Sequence, residues 1–167
     1  MECQWLKMPG PEADGVTVEG GRLYEFKAVE YVAGKKEIMT GEEWKLIAEK
    51  LNSKDLSWED TYLDKTNTIR LGADIVLPEG TPSITGTFKY ILDGQGFSIT
   101  SNNATDALIK DLPKGGVIRD LILAGNLKYE NLETSQIEVS SFVYTLSGGE
   151  IENCVNRMQF DVKARTV

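Results

Sequence analysis

Gly115-Gly116-Val117-Ile118-Arg119-Asp120-Leu121 decides the fold, because the chain writes versions of it twice more. Ile91-Leu92-Asp93-Gly94 precedes it and Gly148-Gly149-Glu150-Ile151-Glu152-Asn153-Cys154 follows it. In each, an apolar residue is followed by an outward residue, then an Asp or Asn, and the versions recur at intervals of 27 and 33 positions. A period of this length marks architectures in which one supersecondary unit cannot bury its own apolar face and lies on its neighbour.

Outward from that stretch, the chain beyond residue 67 breaks into short apolar runs at 68–71, 74–77, 86–92, 97–100, 107–112, 117–123, 137–146 and 151–162. Gly, Asn, Asp, Pro or Ser bounds each run, the punctuation of short strands rather than of helices. A sandwich needs tight hairpins between antiparallel neighbours. The second half has no Asn-Gly hairpin signal, and Asp93-Gly94 leads into Gln95-Gly96 rather than into a mirrored strand. The fold class expected is therefore mainly β, a short parallel β-helix of about three or four coils. Ile91, Ile118 and Ile151 would stack as an aliphatic ladder inside it. Asp93, Asp120 and Asn153, two positions on, would turn the corner, since Asp and Asn tolerate left-handed backbone angles. A calcium site or a catalytic carboxylate cluster at that corner stays open as the rival reading. Leu121 and Cys154 would take the first inward place after it.

Upstream, Thr40-Gly41-Glu42-Glu43 is a capping box, and Trp44, Ile47, Ala48 and Leu51 follow at helical spacing. The pattern predicts one amphipathic helix over about residues 41–52, placed as a cap on the N-terminal end of the coils. Residues 53–67 read as a connecting loop whose large aromatics are Trp58 and Tyr62. Residues 1–15 read as a turn-rich entry, and 16–18 with 23–32 as a hairpin with a bend. The expected organisation is an N-terminal extension over 1–37 and a single unit over 38–167.

Composition narrows the function. The 167 residues amount to about one domain, and 41% hydrophobic with 26% charged residues is ordinary for a globular protein. A net charge of -8 argues against a nucleic-acid partner, whose affinity is carried by Lys and Arg on phosphates. No apolar run approaches the roughly 20 residues of a membrane span. The chain has no histidine, so Ser-His-Asp and Cys-His mechanisms are set aside and no zinc site is expected. No cofactor and no resident metal is expected. Cys3 and Cys154 match no metal or redox spacing, and a disulfide and a buried free thiol both stay open.

Gly148-Gly149-Glu150-Ile151-Glu152-Asn153-Cys154-Val155-Asn156 resembles the GLUG-type repeat of bacterial surface proteins, and residues 115–125 resemble its paired rung. The helix, then Leu71-Gly72-Ala73-Asp74-Ile75-Val76-Leu77, Gly86-Thr87-Phe88 and Leu92-Asp93-Gly94-Gln95-Gly96-Phe97-Ser98-Ile99, is similar to the segment that introduces those repeats, so the likeness covers about residues 38–162. It departs at Ala107-Leu108-Ile109-Lys110, at Ser141-Phe142-Val143-Tyr144 and at Met158, where the family pattern favours glycine. The resemblance implies a right-handed parallel β-helix, on the bacterial cell surface or secreted, often one module of a longer adhesin-like or peptidase-associated chain.

Three functions follow from that reading. The first is a non-catalytic module for adhesion or ligand presentation, binding a glycan or a host or surface protein through residues 101–106 and 126–136, read as loops. Asn102, Asn103, Asn126 and Asn131 would supply amides and Tyr129 a ring to stack on a sugar. The second is a glycan-active fragment, a lyase or hydrolase using Asp93, Asp111, Asp120, Glu150 and Glu152 as acids with Arg119 and Lys110 as cations. The third is a structural spacer. In all three, the alternating Phe160-Asp161-Val162-Lys163 leaves the C-terminal coil without a cap, which predicts weak end-to-end self-association or docking to other modules of a longer parent chain.

Overall fold

The computed structural model describes residues 35–131 and 138–164. The hairpin expected over 16–32, Cys3 and the stretch 132–136 lie outside the described residues. Lys35–Val167 form one compact unit. Its near edge lies a little before the expected residue 38, because the Lys36 N–H donates to the Thr61 carbonyl at 2.9 Å.

The helix forms as its capping box dictates: α1 spans Gly41–Ser53. The Glu43 N–H donates to the Thr40 hydroxyl at 3.3 Å and the Thr40 N–H to the Glu43 carboxylate at 3.2 Å, which satisfies two of the amides left orphaned at a helix start. Lys54, in the left-handed region at φ 60°, ends it with its N–H on Leu51 O. Trp44, Ile47 and Ala48 are buried on the inner face. Residues 53–67 correct the expected loop. A one-turn helix, α2 (Glu59–Tyr62), buries Trp58 and Tyr62. Trp58 meets Tyr90 edge-on at 5.1 Å, Tyr90 meets Phe88 at 5.4 Å, and the Tyr90 hydroxyl donates to Glu59 at 2.8 Å. The aromatic pair explains the turn, since two large rings this close in sequence need a shared apolar seat.

Beyond it the protein is mainly β, in three parallel sheets. The strands are β1 (Thr68–Arg70), β2 (Ile75–Val76), β3 (Ile84–Thr87), β4 (Ile91–Asp93), β5 (Ser98–Ala104), β6 (Ile109–Pro113), β7 (Val117–Arg119), β8 (Ile122–Asn131), β9 (Val143–Ser147), β10 (Glu150–Glu152) and β11 (Val155–Ala164). The sheets run β1-β4-β7-β10, β2-β5-β8-β11 and β3-β6-β9. Every strand therefore pairs with the one three elements further on, and each circuit of the chain adds one strand to each sheet. Ile69, Leu92 and Ile118 from the first sheet, Ile75, Ile99 and Leu123 from the second, and Ile84, Ile109 and Leu112 from the third meet in one core.

The register corrects the expected ladder. Ile118 does lie over Ile151, but its partner in the preceding circuit is Leu92, and Ile91 pairs with Val117. Thus Ile69, Leu92, Ile118 and Ile151 stack at intervals of 23, 26 and 33 residues. The slip arises at the corner. Gly94, not Asp93, precedes the turn as Asp120 does, with Gly94 N–H on Arg119 O at 2.9 Å and Asp120 N–H on Glu152 O at 3.1 Å. Asp120 and Asn153 do adopt left-handed angles, both at φ 49°, and the Asn153 amide donates to the Asp120 carboxylate at 2.5 Å. Asp93 instead stays in β4 and holds Arg119 from across the sheet, with Nη2 at 2.7 Å and Nε at 3.1 Å. Both nitrogens donate to the one oxygen Oδ2, and that pairing raises the guanidinium pKa. Leu121 is buried after the corner, and Cys154 is half-buried with its thiol 3.2 Å from Glu152 O. Burial pushes that thiol pKa up.

At the entry to β1, Asp64 organises the backbone. Its carboxylate accepts from the Thr66 N–H and hydroxyl, both at 2.7 Å, and from the Thr68 N–H at 3.0 Å, and pairs with Arg70. Burial alone would raise this carboxyl pKa, but the Thr66, Arg70 and Thr68 bonds outweigh it and hold the group well below the usual carboxylate range. A depressed folded-state pKa gives stability that is complete above the unfolded value, near 4, and is lost as pH falls toward the folded value. Asp64→Asn is therefore expected to lower Tm most at pH 6 and progressively less toward pH 3. Thermal melts across that range check it, and a deficit that grows in acid would contradict the assignment.

Candidate functional site

The second sheet is the long one. β8 and β11 pair over ten consecutive residues without a register shift, from Val155 opposite Ile122 to Ala164 opposite Asn131. β5 is shorter and reaches β8 through an irregularity between Ser101 and Ala104, where Ser101 faces Gly125 and Ala104 faces Leu127. Two residues, Asn102 and Asn103, thus oppose the single Asn126, which is the geometry of a bulge. Gly125 at φ 110° and Asn103 at φ 57° absorb it. The Asn126 side chain locks it, accepting from the Asn103 N–H at 3.0 Å and donating to the Asn103 side-chain oxygen at 3.3 Å.

Around this bulge lies an open cleft of about 550 Å³ lined by Asn102, Gly125, Asn126, Lys128, Arg157, Gln159, Phe160 and Asp161. Register explains most of the lining. Arg157, Gln159 and Asp161 stand opposite Ala124, Asn126 and Lys128, and alternate residues of neighbouring strands share a face. Among the described residues neither Lys128 nor Arg157 is held in an ion pair, whereas Lys163 pairs with Glu130 at 3.6 Å and Lys110 with Asp106. The cleft therefore offers two cations, one carboxylate and three side-chain amides, on a chain whose net charge is -8.

Of the residues expected to bind ligand, the structure brings Asn102 and Asn126 into the cleft and makes Asn103 the partner that orients Asn126. Tyr129 and Asn131 lie further along β8, on the alternate positions with buried Leu127, and neither lines the cleft. The loops expected at 101–106 and 126–136 need correction where they are described: Ser101–Ala104 belong to β5 and Asn126–Asn131 to β8. Nothing between Asn126 and Asn131 breaks a strand, and the alternation of β11 gives that stretch a ten-residue partner. Arg157, Gln159 and Asp161 were missed. Their signal is present in Arg157-Met158-Gln159-Phe160-Asp161-Val162, where polar and apolar residues alternate at period two.

Elsewhere three of the five candidate acids are engaged in structural contacts, while Glu150 and Glu152 stand exposed on β10. Asp93 holds Arg119, Asp120 accepts from Asn153, and Asp111 accepts from the Ser147 hydroxyl at 2.5 Å. Lys110, offered as a cation, pairs with Asp106 and sits 4.8 Å over the Tyr144 ring, whose hydroxyl donates to Glu138 at 3.0 Å. That bond raises the Tyr144 pKa. No cluster of three potential metal ligands occurs among the described residues, and none of their helices is long and apolar enough to cross a membrane. No family model, no curated protein and no solved structure matches the chain.

Proposed function

We propose that this chain is a right-handed parallel β-helix module of the GLUG type from a bacterial surface or secreted protein, and that it presents a non-catalytic binding face. The cleft at the β5–β8 bulge would take an oligosaccharide bearing carboxylate groups. The observation that carries this reading is the lining itself: the amides of Asn102 and Gln159 match sugar hydroxyls, and Lys128 and Arg157, which no described residue holds in an ion pair, match sugar carboxylates. The fold reading is supported by the three-strand periodicity of the sheets, and right-handed crossovers are the rule between parallel strands. The absence of catalysis is supported by the engagement of Asp93, Asp111 and Asp120 in contacts that hold corners and strands.

The test is a panel of acidic and neutral oligosaccharides, with a cleavage assay on every hit. Acidic glycans are expected to bind without being cleaved, and Lys128→Ala to weaken binding by about tenfold, the loss of one charge-assisted contact. Binding indifferent to Lys128 would refute the assignment of the cleft, and cleavage would overturn the non-catalytic reading. Silence across the panel would leave the spacer role as the better account.

A further inference from the structure

The two margins of the sheets are unlike. At the first circuit each edge is covered. The edge of β1 takes the Ile38 bridge, with Ile38 N–H on Arg70 O and Gly72 N–H on Ile38 O. At β2, Gly41 packs so closely on the Val76 carbonyl that a Cβ would stand 1.9 Å from it. At β3 the Asn52 side chain donates to Ser83 O at 2.8 Å and accepts from the Thr85 N–H at 2.7 Å. At the last circuit nothing among the described residues pairs with the outer edges of β9, β10 or β11. Positions buried in earlier circuits lie open there: Leu146 over Leu112, Ile151 over Ile118 and Phe160 over Leu127. β11 is also long, keeps one register with β8 throughout and contains neither Pro nor Gly, so its edge is blunted by the charges of Arg157, Asp161 and Lys163 and not by a break in the strand.

We propose that this margin is the contact between two copies of the chain, with the β11 strands paired antiparallel about a two-fold axis at Gln159. A second copy cannot dock head to tail, because its first-circuit edges are already occupied. Among the described residues the open margin it can offer is its own β11 side, so the contact is isologous and closes at two. The β11 sequence fits such self-pairing. Centring on Gln159 overlaps nine residues and sets Arg157 opposite the second copy's Asp161 twice, with Met158 opposite Phe160 twice on the other face. Centring one residue later sets Arg157 opposite Lys163 twice, a repulsive arrangement. Centring on Val162 restores an Asp161–Lys163 match but keeps only five residues in overlap. Cross-strand charge pairs of this kind choose register more than they add affinity.

The contact needs no ligand, but Arg157, Gln159, Phe160 and Asp161 also line the cleft, so pairing of two copies and glycan binding draw on the same side chains, and self-association is measured without glycan to keep the two apart. The experiment is sedimentation equilibrium of the full chain without glycan, from about 0.02 to 1 mM, a range suited to interfaces smaller than the standard size. A concentration-dependent monomer–dimer equilibrium with no larger species is expected. Arg157→Asp and Asp161→Arg should each weaken dimerisation by about tenfold or more, as like charges come to face each other twice. Mixing the two single variants, or combining R157D with D161R in one chain, should restore it. Arg157 and Asp161 are both exposed, and thermal melts of each variant verify that it is folded. A monomer at every concentration, open-ended growth beyond the dimer, or association that ignores both charge reversals would each overturn the proposal.

Discussion

Leu92→Ala is expected to destabilise the compact unit by about 3–4 kcal/mol, and Ile91→Ala, one residue away, by only about 1 kcal/mol. Leu92 is 0% exposed and lies between Ile69 and Ile118 in the central ladder, so truncating it removes buried methyl groups and leaves a cavity that two stacked strands cannot close. Ile91 is only half-buried and pairs with Thr68 and Val117 on the alternate face. Native domains are stable by roughly 5–15 kcal/mol, so the larger loss removes a substantial fraction of the total. Urea unfolding with constant m-value measures both. Equal costs at 91 and 92 would mean that the register is wrong. The same ladder supplies a graded control: Ile151 occupies the equivalent place in the last circuit but is 40% exposed, so Ile151→Ala should cost less than Leu92→Ala.

That pair of residues also shows what the sequence could and could not tell. The glycine-flanked stretches around Ile118 and Ile151 are true equivalents, and from them the circuit and the parallel pairing of β7 with β10 can be read. Ile91-Leu92 offers two adjacent apolar residues, and the choice between them is made by the Gly94 corner, whose geometry is a matter of inter-strand hydrogen bonds. A one-residue slip exchanges the two faces of a strand, which is why the ladder was misplaced while the sheet was not. The capping box needed no such context, since its partners are three residues apart and the whole interaction is local. Trp58 and Tyr62 fell between these cases. Their helix is a single turn anchored where Trp58 meets Tyr90, and short helices carry little signal of their own.

The site was legible only in its asparagines. Asn102, Asn103 and Asn126 stood out as amides in polar surroundings, and the bulge brings them together across 23 residues of sequence. What the sequence hid was the pairing of β8 with β11. A reader who takes 126–136 for a loop has no reason to set Arg157 and Gln159 beside Asn126. The cleft is a product of strand register, and register depends on contacts between residues some 33 positions apart.

Gly125 ties that register to the cleft, so its replacement should have the second large effect. Gly125→Ala is expected to cost about 2–5 kcal/mol, the sum of an unfavourable positive φ and of backbone displacement. A Cβ at Gly125 would stand 2.0 Å from the Ser101 carbonyl oxygen and 2.6 Å from its carbon, atoms of the paired strand that cannot rotate away. Relief requires β5 to move off β8, and the Asn103–Asn126 bonds that define the bulge lie two residues from the collision. Gly96→Ala separates the two contributions. Gly96 also has positive φ, at 83°, but its added Cβ would meet nothing within 4 Å, so it should cost only about 1 kcal/mol. Chemical denaturation gives the two costs, and the amide exchange of Asn103 reports on the bulge directly. If the two alanines cost the same, close approach of Ser101 is irrelevant and only the backbone angle matters. If Gly125→Ala is the costlier and also frees the Asn103 amide, the cleft is built on the absence of one methyl group, and any side chain at 125 should displace the Asn102 and Asn126 that line it.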